Sequence, residues 1–201
     1  ISVTGSQLNT GYDQVISQIR DSGMAVASVG TGGHSLIQDP ATTLDILQPI
    51  IDAAVALKSP FAFSVSGPAV DHMPNDDAFA KLIDCLSTAR SYAGDFGVRL
   101  AIEHSSIATR QLGFVHTLAD ACWLSHEADV DVVVELQNCW YERDLHRIFK
   151  ENYDRFAIVN VSDFCVGEEL KLNRRVPGDG SIPLEWLIGG LLEAGYAGQF
   201  D

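Results

Sequence analysis

Glu103 and Glu135 each close a short apolar run, in LAIEH and VVVEL. Other polar residues hold equivalent places: Thr31 with His34 beyond it, Ser66 and Gly67 with His72 beyond, and His104 beside Glu103. Gln137 and Asn138 follow Glu135, and Asn160, Ser162 and Asp163 end the run FAIVNVSD. Side chains of an extended strand alternate between its faces, so Arg99, Ala101 and Glu103 point one way while Leu100, Ile102 and His104 point the other. Val133 shares the direction of Glu135, and Ile158 that of Asn160. Where those directions meet on one axis, Glu103, Glu135 and Asn160 converge. Two carboxylates so close are costly without a cation between them. A divalent ion that takes oxygen ligands, Mg²⁺ or Mn²⁺, relieves the repulsion. His34 and His104 are candidates for contacts to substrate or for acid–base work, since imidazole titrates near neutrality. The alternative for each is a structural histidine.

Such residues need a repeating scaffold, and the sequence supplies one. Apolar runs at residues 1–5, 25–30, 61–66, 98–104, 130–137 and 156–162 read as strands. Between them, apolar residues recur at helical spacing: Tyr12, Val15, Ile16 and Ile19; Ile46, Leu47, Ile50, Ile51 and Ala54; Phe79, Leu82, Ile83 and Leu86; Leu118 and Cys122; Leu145, Ile148 and Phe149; Leu184, Leu187, Ile188 and Leu191. Gly23, Gly97 and Gly195 fall where a left-handed residue ends a helix. Residues 196–201 read as the opening of a seventh strand. Apolar strands alternating with helices predict parallel βαβ units buried on both faces. A closed (β/α)₈ barrel of ~250 residues needs one more unit than this chain supplies. An open doubly wound sheet is the competing architecture, but no Gly-rich phosphate loop follows the first strand.

Composition narrows the function. The chain has 201 residues, with no linker or low-complexity tract, which predicts a single domain over residues 1–201. Its net charge of −14 argues against nucleic acid as partner, because phosphate backbones would be repelled. No uncharged run reaches the ~18–20 residues of a membrane span. Cys85, Cys122, Cys139 and Cys165 form no CxxC pair and read as reduced packing residues of a cytoplasmic protein. A small-molecule substrate is the expected partner, and a homo-oligomer is compatible with this composition.

The strands LAIEH and VVVE, and the stretch RRVPGDG followed by SIPL and LLEAGYAG, resemble the xylose-isomerase-like TIM barrels. That group covers sugar isomerases and epimerases, related dehydratases and, more distantly, endonuclease IV. The resemblance runs over nearly the whole chain. It implies a (β/α)₈ barrel with its first unit preceding Ile1 and a last metal-binding glutamate just beyond Asp201, so that about seven strands are present. It also implies a divalent-metal-dependent isomerase or epimerase acting on a small sugar or related hydroxy-carbonyl compound through an enediolate. A dehydratase of the same superfamily, or a non-catalytic barrel relative, is the alternative. Glu103 matches a glutamate that binds metal and moves protons, and Glu135 the next carboxylate ligand. Asn160 stands where most members have a metal-binding histidine, and Asn138 where many have a substrate-contacting histidine. Arg174, at the R-x-x-P-G spacing, matches an arginine that contacts substrate. Asp163 is read as a brace for the following loop, while Trp140 and Phe164 either wall the site or pack in the core.

Overall fold

In the computed structural model, which describes residues 1–168 and 174–201, seven parallel strands follow one another in a single curled sheet. They are β1 (Ser2–Thr4), β2 (Ser28–Thr31), β3 (Phe61–Val65), β4 (Arg99–Glu103), β5 (Asp131–Glu135), β6 (Phe156–Asn160) and β7 (Gln199–Phe200). Each strand pairs with its predecessor, from β1 through β7. The connections are helical: α1 (Gly5–Leu8), α2 (Tyr12–Ser22), α3 (Pro40–Leu57), α4 (Asn75–Asp95), α5 (Leu118–Ala128), α6 (Leu136–Cys139), α7 (Leu145–Asn152) and α8 (Leu184–Ala194). This order is that of a TIM barrel and excludes the doubly wound alternative, whose strand order reverses part-way. Gly23, Gly97 and Gly195 adopt left-handed backbone, as the sequence requires of them. Among the described residues no helix is long and apolar enough to cross a membrane.

The strands bury both faces. Leu100, Ile102, Val132, Val134 and Val159 face the helices in the large core, whereas Ala101, Val133, Ala157 and Ile158 pack with Ala27, Phe61 and Phe63 on the inner side. The alternation expected for β4 and β5 therefore holds, and it carries Glu103 and Glu135 to the inner face. In β6 the phase changes once. Val132 pairs with Phe156 and Val133 with Ile158, leaving Ala157 as an extra residue in a bulge. Above the bulge, Asn160 lies beside Glu135.

Several expected strand bounds shift, and β6 for one stops at Asn160 instead of residue 162. The strand expected over residues 25–30 begins at Ser28. The strand expected over residues 130–137 stops at Glu135, because that side chain accepts the N–H of Gln137 and starts the turn α6. Residue 5 is helical instead of extended. Thr4 and Gln7 form a reciprocal capping box, with the Thr4 N–H donating to Gln7 Oε1 at 2.8 Å.

Candidate functional site

The C-terminal ends of β4, β5 and β6 bring Glu103, Glu135 and Asn160 together. The Asn160 amide is close enough to the Glu103 carboxyl to favour its charged form. Burial, reinforced by the charge of Glu135, pushes the Glu103 carboxyl up to about 8, against opposing effects of Arg174 and Asn160. Glu135 is only 1% exposed, and burial raises it too. Arg174, the N–H of Gln137 and the Ser162 hydroxyl work in the other direction. Arg174 Nη2 lies 2.9 Å from Glu135 Oε2 while its side chain stays 60% exposed, so one guanidinium joins the buried carboxylate to solvent. Ser162 Oγ stands 3.2 Å from Glu135 Oε1 and 2.8 Å from Gln137 Oε1, and its single proton can serve either oxygen.

Arg174 reaches this place through an anchored loop. The Asp163 carboxylate is buried and accepts four backbone N–H groups: Phe164 at 2.8 Å, Gly178 at 3.1 Å, Gly180 at 2.9 Å and Ile182 at 3.0 Å. Asp163 and Arg175 also exchange backbone hydrogen bonds at 2.7 and 3.3 Å. A Cβ at position 180 would lie 2.2 Å from Asp163 Oδ1, so the close approach demands glycine. The PGDG motif is thus the complement of Asp163, which acts as the expected brace. Burial raises this carboxyl, but the four donors outweigh it and leave its pKa below the ordinary value.

The other expected residues divide. Asn138 is half-buried beside the site and donates through Nδ2 to the His104 carbonyl at 3.1 Å. His104 borders the cavity, but its ring is fully buried and Nε2 accepts the Glu135 N–H at 3.2 Å. Burial drives its pKa down to about 4, so the ring is neutral and ties β4 to β5. His104 thus combines a place at the cavity with a hydrogen bond between the two strands that carry Glu103 and Glu135. His34 is exposed in the loop after β2 and is not among the residues lining the cavity.

That cavity has a volume of 910 Å³, with Glu103, Gln137, Asn138 and Arg174 among its polar lining. Trp140, Tyr141, Phe164, Ile107 and Leu112 add apolar walls. Trp140 and Phe164 therefore do both things left open by the sequence, since they pack together with ring centroids 5.9 Å apart and also border the cavity. Sequence reasoning missed Tyr141, Ile107 and Leu112, which lie in stretches without strand or helix periodicity.

The donor set is chemically suited to a hard cation: two carboxylates and one amide, all oxygen ligands, with both carboxyls driven upward by burial. Among the described residues no group of three His, Cys, Asp or Glu side chains stands ready to hold a metal. A third oxygen from this chain would have to come from the neutral Asn160.

Comparison with solved structures places the whole chain on known folds. It covers 78% of a protein from Sinorhizobium meliloti 1021 at 20% identity and a TM-score of 0.88. It covers 80% of 3-keto-D-glucoside 4-epimerase from E. coli at 18% identity and 0.78, and 77% of the zinc-bound IolI protein at 14% and 0.79. All of this chain is matched in each case. No curated protein matches it in sequence. The profile describing xylose isomerase-like TIM barrels matches residues 5–200. With its strand order and its matched length in agreement, the chain belongs to the xylose isomerase-like TIM-barrel family.

Proposed function

We propose that the protein is a divalent-metal-dependent isomerase or epimerase of small sugars or related hydroxy-carbonyl compounds. The observation that carries this reading is the convergence of Glu103, Glu135 and Asn160 beneath a cavity reached by Arg174. Glu103, Glu135 and Asn160 are the residues that would hold the ion, Mn²⁺ or Mg²⁺ by donor type. When bound, the cation would polarise the substrate's carbonyl and neighbouring hydroxyl and acidify the adjacent C–H. Glu103 would take that proton on a carboxylate oxygen, leaving an enediolate, and return it to the neighbouring carbon in an isomerisation, whereas an epimerisation needs a second proton donor on the opposite face. Arg174 supplies positive charge to substrate oxygens, Asn138 an amide at the rim, and Ser162 with Gln137 steadies Glu135. The epimerase and the zinc-bound protein among the structural neighbours support this reading at the level of the fold they share.

The test is metal binding by the full-length protein. Glu103→Gln and Glu135→Gln each exchange an anionic oxygen for a neutral one, so Mn²⁺ affinity should fall about tenfold or more, roughly 1.4 kcal/mol or above. Asn160→His should retain binding and shift preference toward Zn²⁺, since imidazole suits softer ions. Unchanged Mn²⁺ affinity in both glutamine variants would refute the shared cation and favour a non-catalytic relative. Product analysis then separates the chemistries: loss of water from a ketose substrate would identify a dehydratase.

A further inference from the structure

The loop after β4 exposes two large apolar side chains beside the polar Arg110 and Gln111. Ile107 is 54% and Leu112 41% exposed, and both line the cavity that contains Glu103 and Arg174. Single exposed apolar side chains are ordinary, but this loop is clamped in place. Ser66 Oγ accepts the N–H of Phe114 at 2.9 Å, and the Ser105 N–H donates to the Val115 carbonyl at 2.8 Å. Gly113 bridges to Gly67, and a Cβ there would lie 2.3 Å from Ser105 Oγ, so a larger residue would force the clamp open. Within the loop, Ser106 Oγ caps the turn Ile107–Thr109 by accepting the Ala108 N–H at 3.2 Å.

A second apolar wall comes from the loops after β5 and β6. Tyr141, 53% exposed, stands edge-on to Trp140 with centroids 6.2 Å apart, and Trp140 in turn meets Phe164. Ser106, Thr109 and Gln111 also line the cavity from the loop after β4, so the apolar side chains there stand among polar ones. At 910 Å³ the cavity lies toward the top of the ~300–1,000 Å³ range that encloses drug-sized ligands, and one sugar ring fills only part of it.

The geometry points to a substrate in two parts: a sugar ring engaged by Glu103 and Arg174, carrying an aryl or alkyl substituent that lies among Ile107, Leu112, Trp140 and Tyr141. This inference rests on the proposed function and specifies its substrate class as hydroxy-carbonyl sugars that carry an apolar substituent away from the carbonyl. A free sugar leaves both apolar walls in water, whereas a substituent removes them from it and gains the transfer free energy of its own surface. Planar aryl groups gain further from stacking on Tyr141 and Trp140.

The experiment is calorimetric binding to the full-length protein, with Mn²⁺ present, of glucose, galactose and mannose and of their phenyl pyranosides, which lack a free carbonyl and so report binding without turnover. At least one phenyl glycoside should bind tenfold or more tightly than its parent hexose. Ile107→Ser and Leu112→Ser should bring that ratio toward one, with melting temperature as the folding control, and Glu103→Gln should weaken sugar and glycoside alike. Equal affinities, or a ratio that survives both serine variants, would overturn the inference and leave the proposed reaction standing. Sugar and glycoside affinities that both stay at the parent's level in Glu103→Gln and Arg174→Ala, with the glycoside preference intact, would support the apolar subsite and overturn the proposed reaction. Absence of binding by every probe would overturn both. A dimer that dissociates on Leu112→Ser, with no preference for glycosides, would assign the apolar loop to a second copy of this chain and overturn the inference.

Discussion

A carboxylate surrounded by four backbone donors behaves as a fastener, and Asp163 fastens the segment bearing Arg174 to the end of β6. Hydrogen bonds to a charged acceptor contribute ~1.5–3 kcal/mol each before overlap. Asp163→Asn keeps the shape but loses the charge and places an NH₂ against N–H groups, so it should cost about 2–4 kcal/mol in urea unfolding. The pH dependence has a definite sign. Because the folded carboxyl is held below its ordinary value, its contribution is complete above an unfolded pKa of 3.8 and disappears as pH falls through the lower folded value. Urea midpoints measured between pH 5 and 2.5 should therefore decline less in Asp163→Asn than in the parent. An equally steep decline in both would remove Asp163 from the acid response.

At the scale of elements, the clamp on residues 105–116 makes its own prediction. Ser66→Ala deletes the acceptor for the buried N–H of Phe114 and for that of Val115 at 3.4 Å. Leaving one such donor unpaired costs ~1–3 kcal/mol, so exchange at the Phe114 amide should accelerate about tenfold or more, while amides of α3 stay unchanged. Uniform acceleration would mean global destabilisation instead of an opened clamp. The same elements show what sequence can convey. Alternation in β4 and β5 put Ala101 and Val133 inside and carried Glu103 and Glu135 with them, because period two is a property of the extended chain itself. The end of β5 was not legible, since Glu135 is both the last strand residue and the cap of α6, and only the turned backbone decides between them. Arg174 could be singled out by spacing, but its contact with Glu135 depends on Asp163 meeting glycines 15 and 17 residues away. Ile107 and Leu112 carry no periodic signal, as their position is set by the clamp and not by an element.

Across the molecule the charge balance governs the response to salt. With a net charge of −14, repulsion among carboxylates opposes the compact state. The attractive pairs that salt would also weaken are mostly at the surface. Asp129 is shared by Arg90 and Arg155 at 2.8 and 3.1 Å, and Arg147 meets Glu151 at 2.7 Å. Such exposed pairs contribute ~0–1 kcal/mol apiece. Repulsion should win, and raising NaCl from about 0.05 to 0.5 M, which shortens the screening length severalfold, should raise the melting temperature by ~2–4 °C, or about 1 kcal/mol at this size. A fall would show that the ion pairs outweigh the excess charge.

The bulge in β6 makes Ala157 a slack link, a place where the chain can change length without moving the chemistry above it. Phe156 sets the phase of the strand below, and Ile158 through Asn160 set it above. Deleting Ala157 should close the bulge into regular pairing and keep Asn160 opposite Glu135. Deleting Val159, only two residues along, should instead turn the Asn160 amide into the apolar layer against the helices. Burying an amide without a partner costs ~2–7 kcal/mol. Side-by-side chemical unfolding of the two deletions should find the first folded and the second severely destabilised. In engineering terms, strand length in this barrel is negotiable below the site and fixed at it.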